Sequence, residues 1–151
     1  MLIDLSHVIE AGMTTYPGLP GPLVCDFLSR EASRGRYAPG VELQIGRIEL
    51  VGHTGTYLDT PFHRYADGFD LAALELAACA ALVGIDSLNI DDIADLARPT
   101  HSALLSAGIP IVEHLTGLSA LPQRGARFFA VPPKIRAFGT FPVRAFAVVD
   151  A

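Results

Sequence analysis

Apolar and polar residues alternate along several short segments of the chain, and a period of two predicts β-strands with one buried face. The clearest alternation runs over Val41–Val51, where Gly46 interrupts it, and predicts a half-buried strand with a hairpin or a bulge at that glycine. Residues 2–8 predict another short strand. Aromatic and β-branched residues predict two more strands, over residues 127–135 and 143–149.

Helical signals are fewer and lie in the middle of the chain. Residues 70–81 have a helix-like composition, and residues 100–108 predict a helix that ends at a glycine. Residues 81–86 and 110–115 are short apolar runs that predict buried strands. Strands therefore outnumber helices, and the pattern predicts one mixed α/β domain over residues 1–151, with a largely β N-terminal half.

Charge and hydropathy exclude two classes of partner. The net charge is −5 and the 11 basic residues form no run, so we expect no binding to nucleic acid. The most apolar stretch, Leu71–Val83, has 13 residues, whereas a membrane-spanning helix needs about 20. The chain has no secretory leader pattern and no disulfide framework, and we expect a cytoplasmic protein.

One join in the pattern is unusual. The helix-like residues 70–81 run directly into strand-like residues, with no glycine, proline, asparagine or serine between them. A change of chain direction normally needs such residues. Either the helix continues to Gly84 or a segment is missing near Ala80–Ala81.

Imidazole and carboxylate side chains concentrate in the stretch His53–His63, which has the sequence HTGTYLDTPFH. Alternate residues of an extended chain share one face, which places Tyr57 and Asp59 on the same side as both histidines. Isolated histidines on strands are more often surface or core residues, but this combination favours a site.

A straight strand would not assemble that site. It would separate His53 from Asp59 by about 20 Å, whereas bonds from one metal ion to such ligands are about 2.0–2.2 Å long. The segment therefore has to bend. Gly55 is the residue that most easily permits a bend, and Thr60-Pro61 predicts an extended exit.

The same stretch resembles the signature of the cyclase / bacterial kynurenine formamidase family, H-x-G-T-H-x-D-x-P-x-H. Every fixed position is matched except one, since Tyr57 stands where the family has its second histidine. The segments DLSHVIEAGMTTYPG, THSALLSAGIPIVEHL and PVRAFAV are also similar to the family. The resemblance implies a mixed fold of the swivelling β/β/α type and a homodimer or higher homo-oligomer.

The resemblance also implies a metal site. It makes His53 and Asp59 ligands of a divalent metal, zinc in the first place and manganese as the alternative. His101 and Glu113, which are twelve residues apart, match a second pair of ligands. His63 takes the role of the acid/base residue. Considered singly, His101 and Glu113 would fit surface positions.

Two features depart from the family pattern. The phenol of Tyr57 has an ordinary pKa near 10 and does not replace imidazole as a neutral donor. It either coordinates as a phenolate or hydrogen-bonds a metal-bound water, and we group it with His63 as a catalytic residue. The family also has several tens of additional residues at the unusual join near Ala80–Ala81. His7 and His114 are interpreted as structural.

The implied activity is metal-dependent hydrolysis of a small amide, arylformamidase-like, with N-formylkynurenine cleaved to kynurenine and formate in tryptophan catabolism. No GxSxG motif occurs in the chain, so a serine-hydrolase route finds no support. Two alternatives stay open. One is a non-catalytic, oligomeric metal- or small-molecule-binding member of the same fold, and the other is a hydrolase of a cyclic amide.

Overall fold

A computed structural model describes residues 1–75 and 81–149. Strands predominate in this part of the chain, and the mixed α/β class is confirmed. The strands are β1 (Leu2–Asp4), β2 (Leu23–Leu28), β3 (Ile45–Glu49), β4 (Tyr57–Asp59), β5 (Val83–Gly84), β6 (Ile111–Glu113), β7 (Ala126–Ala130), β8 (Thr140–Pro142) and β9 (Ala145–Val149). The helices are α1 (Arg30–Ser33) and α2 (Pro99–Ser106), with 3-10 turns at Pro61–His63 and Leu118–Ala120. No helix within the described ranges is long and apolar enough to cross a membrane.

The strands form three sheets. A three-stranded antiparallel sheet has the order β1-β9-β7, and a separate two-stranded ribbon is formed by β2 and β3. A four-stranded sheet has the order β5-β6-β4-β8, in which β5 and β6 are parallel and the other neighbours are antiparallel. Because β4 and β6 are its central strands, their side chains have fixed neighbours on both sides.

The hydrophobic core joins the two larger sheets. Leu58 of β4 and Val112 of β6 belong to one buried cluster with Ala145 of β9. Side chains alternate between the two faces of a strand, so the burial of Leu58 in the core turns Tyr57 and Asp59 to the opposite face. The core therefore determines which face of β4 is available for a polar site.

Most of the predicted elements are present with shorter bounds. The segments predicted at residues 2–8, 81–86, 110–115 and 143–149 contain β1, β5, β6 and β9. The predicted helix is α2, and Gly108 follows it with a φ of 72°. The strand predicted over residues 127–135 ends at Ala130, ahead of two prolines that have no amide hydrogen for a sheet.

The ribbon of β2 and β3 differs from the prediction. A half-buried strand over residues 41–51 is wrong, because β3 is exposed along its whole length and pairs only with β2, a strand that the pattern did not predict. The irregularity expected at Gly46 lies on the partner strand instead, where the register shifts between Asp26 and Leu28. The short strand β8 was also not predicted.

The helix predicted over residues 70–81 is wrong for its first part, where residues 71–73 form a turn. One carboxylate oxygen of Asp70 accepts hydrogen bonds from the backbone amides two and three residues further on, at 3.0 and 2.9 Å. The other oxygen accepts from the amide of Ala137 at 2.7 Å, which ties the turn to a distant loop rather than to a helix. Residues 76–80, and with them the unusual join, lie outside the described residues.

Candidate metal centre

Strand register brings three of the predicted site residues together. β4 and β6 pair with Tyr57 opposite Glu113, and Asp59 lies two residues further along β4. Cross-strand partners and residues two apart share one face of a sheet, so the three side chains lie side by side. Each is at most 1% exposed, so the two carboxylates are removed from solvent.

The backbone on either side of β4 brings in both histidines of the motif. Gly55 has a φ of 66°, and the bend predicted there is confirmed. Thr60 is extended, with a φ of −99° and a ψ of 165°, and the 3-10 turn Pro61–His63 follows. As a result, the ring centroids of His53 and His63 are 4.7 Å apart.

Helix α2 supplies His101 from its first turn, and Asp91 fixes the direction of the imidazole ring. Asp91 accepts hydrogen bonds from the amides of Thr100 and His101, at 2.7 and 3.1 Å, and lies 2.7 Å from Nδ1 of His101. Burial raises the pKa of Asp91, but these bonds lower it further than burial raises it, so the carboxylate is ionised and can only accept. Nδ1 of His101 therefore carries the hydrogen, and Nε2 is the atom that His101 offers to a metal.

The separations between ligand atoms place three of the predicted ligands, Asp59, His101 and Glu113, in one group that could hold a divalent ion. Nε2 of His101 lies 3.8 Å from Oδ2 of Asp59 and 3.5 Å from Oε1 of Glu113. Nε2 of His53 lies 4.0 Å from Oδ1 of Asp59. Two ligands bonded to one ion at about 2.0–2.2 Å are at most about 4.4 Å apart, so each of these pairs is close enough to share an ion. His63 forms an overlapping group with His53 and Asp59 whose ligand atoms lie within 4.8 Å of one another.

Asp59 has the feature that most directly indicates a cation. Thr140 donates to its Oδ1, whereas the buried Oδ2 accepts no hydrogen bond from any described residue. Burial raises the pKa of Asp59, but its contacts with His101, His63, His53 and Thr140 together lower it more, so the carboxylate is ionised. An unsatisfied buried oxygen costs about 1–3 kcal/mol, and more when charged. A cation bonded to Oδ2 removes this cost, and a set of imidazole and carboxylate ligands suits zinc or manganese.

The pKa values around the cluster show that it attracts positive charge. Burial lowers the pKa of His53, which leaves its imidazole neutral and able to bind a metal. Burial and the neighbouring Asp59 raise the pKa of Glu113, because two carboxylates are held close together away from water. Burial lowers the pKa of His101, but its contacts with Asp59 and Asp91 raise it more. A proton on His101 or a bound metal ion can supply the positive charge.

Tyr57 contacts a predicted ligand as a hydrogen-bond donor. Its hydroxyl donates to Oε2 of Glu113 at 2.8 Å and also lies 3.2 Å from the carbonyl oxygen of Leu88. Its ring packs edge-on against His53, with the centroids 5.0 Å apart. Burial and the carboxylates of Glu113 and Asp59 raise the pKa of Tyr57 far above its ordinary value, so the phenol keeps its proton. This contact favours a role in holding Glu113 over coordination as a phenolate.

A cavity of about 480 Å³ opens onto this cluster. Its lining includes His53, His63, His101 and Glu113 together with Tyr16, Pro17, Gly18, Leu19, Arg64, Asn89 and Arg98. The sequence reasoning missed Asn89, Asp91 and Arg98, because residues 87–98 resemble an ordinary turn-rich loop. Asp91 could have been predicted, because the second ring N–H of a metal-binding histidine usually donates a hydrogen bond to a carboxylate, and Asp91 precedes His101 by only ten residues.

The two histidines that were interpreted as structural lie outside the metal-binding groups found among the described residues. The rings of His7 and His114 stack with a centroid distance of 4.2 Å. Nδ1 of His114 lies 3.3 Å from the carbonyl oxygen of Gly55, and His114 has a φ of 56°. This pair therefore buttresses the bend that precedes β4.

The chain is similar in sequence to two kynurenine formamidases. It is 27% identical over 135 residues to a kynurenine formamidase of Bacillus cereus, covering 89% of this chain and 59% of that protein. It is 28% identical over 97 residues to a kynurenine formamidase of Erythrobacter litoralis, covering 62% of this chain and 42% of that protein. The chain thus spans about half the length of the curated relatives it matches.

The fold of the chain is similar to that of solved hydrolase structures. Isatin hydrolase A from Ralstonia solanacearum superposes with a TM-score of 0.78 at 15% identity, covering 99% of this chain and 92% of that one. The model of the Cyclase family, described as putative cyclase, matches residues 3–107, which is well over half of the sequence and includes the whole histidine motif. The chain therefore belongs to the putative cyclase family.

Proposed function

We propose that this protein is a metal-dependent hydrolase of a small amide, arylformamidase-like, which cleaves N-formylkynurenine to kynurenine and formate in tryptophan catabolism. The observation that carries the proposal is the buried Oδ2 of Asp59, which accepts no hydrogen bond from residues 1–75 or 81–149 and lies 3.8 Å from His101 beside a cavity of small-molecule size. Relatives named kynurenine formamidase support the choice of substrate.

Four side chains would hold the metal, zinc in the first place. They are His53, Asp59, His101 and Glu113. A divalent ion bound by such ligands lowers the pKa of a coordinated water to about 7 and polarises a carbonyl oxygen.

Neighbouring side chains keep the ligands in place. Asp91 holds the ring of His101, and the Tyr57 hydroxyl holds Glu113 through Oε2. The amide of Ile90 donates to the other Glu113 oxygen at 2.6 Å. These contacts orient the ligands before any ion binds, which reduces the rearrangement that binding requires.

We infer that His63 moves a proton in the reaction. It is exposed in the cavity, with its ring centroid 4.7 Å from that of His53 and 6.2 Å from that of His101. A ring nitrogen of His63 would take a proton from the attacking water and pass it to the amine nitrogen as the C–N bond of the formamide breaks. The substrate carbonyl would lie between His63 and the four ligand residues.

The cellular compartment, the oligomeric state and the fold type are part of the same proposal. We infer a cytoplasmic homo-oligomer whose domain is a shortened form of the swivelling β/β/α type, with a segment missing near residues 80–81. The absence of turn-forming residues at the join supports the missing segment.

Turnover of N-formylkynurenine tests the proposal. Zinc-loaded protein should release formate, chelation should abolish release, and His63→Gln should keep its zinc and lose most of the activity. Hydrolysis of isatin without hydrolysis of N-formylkynurenine would instead identify a cyclic-amide hydrolase. A zinc-loaded wild-type protein that cleaves neither compound would contradict the proposal and favour a non-catalytic member of the family.

A further inference from the structure

The cavity in front of the metal centre carries unbalanced positive charge. Glu113 is the only acidic residue of its described lining, while Arg64 and Arg98 are both part of that lining. The two buried carboxylates, Asp59 and Glu113, are matched by the charge of one divalent ion. The two arginines then carry two positive charges against the one remaining buried carboxylate of the centre, Asp91, and this net positive charge favours an anionic ligand in the cavity.

Arg98 is the better oriented of the two arginines because neutral oxygen atoms hold it. Its guanidinium donates to Oδ1 of Asn89 at 3.2 Å and to the carbonyl oxygens of Asp92 and Ile93 at 3.0 and 3.4 Å. It also donates to the hydroxyl of Tyr16 at 3.2 Å. The ion pairs among residues 1–75 and 81–149 do not include Arg98, and it is half-buried.

Tyr16 adds a second donor at the same place. Because its hydroxyl oxygen accepts from Arg98, the hydroxyl hydrogen is free to be donated to a ligand. The four bonds of Arg98 use the hydrogens of both terminal nitrogens, so Arg98 offers a carboxylate its positive charge and its Nε hydrogen, and Tyr16 offers its hydroxyl hydrogen. Arg64 is less well fixed, since it is exposed and its closest partners are the carbonyl oxygen of Ala97 at 3.5 Å and the ring of Tyr65.

We propose that Arg98 and the Tyr16 hydroxyl bind a carboxylate group of the substrate while its amide is held at the metal centre. Arg98 is then a specificity-determining residue, and the preferred substrate is an aryl amide that carries a carboxylate rather than a neutral cyclic amide. This inference rests on the proposed function and names the part of the substrate that the cavity recognises.

Binding of the reaction product, kynurenine, tests this inference without catalysis. Kynurenine and kynuramine differ only in the carboxylate, which kynuramine lacks. Titration calorimetry on the zinc-loaded protein should give a kynurenine affinity about ten-fold or more above that of kynuramine, the scale of a hydrogen-bonded charge pair. Because the measurement needs no catalysis, a failure of the hydrolase proposal would be seen separately, in the formate assay.

Variants assign the preference to Arg98 rather than to the metal. Arg98→Gln should bring the two affinities to within about two-fold, and Arg98→Lys should retain part of the preference as a single point charge. Arg124→Gln, which removes an exposed arginine outside the cavity lining, is the matched control and should behave as wild type. Zinc content is measured for each variant.

Two results would overturn the inference. One is equal affinity of wild type for the two ligands, and the other is an unchanged preference in zinc-loaded Arg98→Gln. Arg98 immediately precedes α2, so Arg98→Gln could disturb His101 and lose zinc. In that case Tyr16→Phe decides, because it leaves α2 intact. It should lower the kynurenine affinity about ten-fold without affecting kynuramine, the scale of one hydrogen bond to a charged group, and an unchanged affinity would count against the inference.

Discussion

In the proposed metal centre, two side chains act through the predicted ligand residues that they touch. The hydroxyl of Tyr57 reaches one oxygen of Glu113, and the carboxylate of Asp91 reaches Nδ1 of His101. Both ligands are buried, so each would lose a hydrogen bond that water cannot replace if its partner were removed. In the proposed centre, Tyr57 replaces the second histidine of the family motif. It does not bind the metal itself but holds the predicted ligand Glu113 in place.

Removal of the Tyr57 hydroxyl tests that role. In Tyr57→Phe the ring still fills its buried position, but Oε2 of Glu113 loses its donor. Metal affinity or turnover should fall by about 10–100-fold, as is typical for partners of metal ligands. Competition with a zinc chelator and the formate assay measure the two quantities. Tyr37→Phe, at an exposed position, is the control, and equal values in wild type and Tyr57→Phe would mean that the hydroxyl only fills space.

At the scale of elements, local patterns were predictable and long-range register was not. The period of two placed Tyr57 and Asp59 on one face, and the glycine at position 55 marked the bend, because both follow from neighbouring residues. The pairing of β4 with β6 and β8 depends on residues more than fifty positions away, so no local pattern contains it. The ribbon partner β2 was missed for the same reason, whereas Asp91 lies only ten residues before His101 and was missed because its segment resembles an ordinary loop.

The 3-10 turn that carries His63 depends on a close backbone approach. A Cβ at Gly139 would lie 2.6 Å from Cα of His63, and the carbonyl oxygen of Gly139 accepts from the amide of Thr60 at 2.8 Å. A side chain at residue 139 would therefore force one of the two backbone segments to shift.

Gly139→Ala should therefore displace the turn. The free energy of unfolding should fall by about 1–3 kcal/mol, as for other overpacked sites. Turnover should fall by up to about a hundred-fold, because a shift near 1 Å in a catalytic group has that effect. Urea denaturation and the formate assay measure the two changes. Gly46→Ala is the control, since its nearest contact would be a side-chain nitrogen at 3.7 Å; if Gly139→Ala matched it in both measurements, the turn would not depend on this contact.

At the scale of the whole molecule, the ribbon of β2 and β3 is the least covered element. Leu23, Val24, Phe27, Ile45 and Ile48 are between 46% and 74% exposed. A two-stranded ribbon is marginally stable when nothing packs against it. Apolar exposure of this extent on one element is typical of an interaction surface.

We expect the chain to form a dimer or a larger oligomer through this ribbon. Light scattering at micromolar concentration should give a mass above that of one chain. Phe27→Asp should weaken the association by about 2 kcal/mol, the scale of a central aromatic contact. Leu96→Asp changes an equally apolar residue that is 87% exposed elsewhere and should have no such effect. A monomeric mass for wild type would contradict this expectation.

The central claim is that the buried cluster around Asp59 is a divalent metal centre, and metal content tests it most directly. The wild-type protein, reconstituted with zinc and desalted, should retain close to stoichiometric zinc by elemental analysis. Asp59→Asn preserves the size of the side chain but removes the charge of the unsatisfied oxygen, and it should lose most of the metal. Retention of zinc by wild type and its loss from Asp59→Asn would support the centre. A folded wild-type protein that holds no divalent metal after reconstitution, or an Asp59→Asn variant that holds as much as wild type, would contradict the claim.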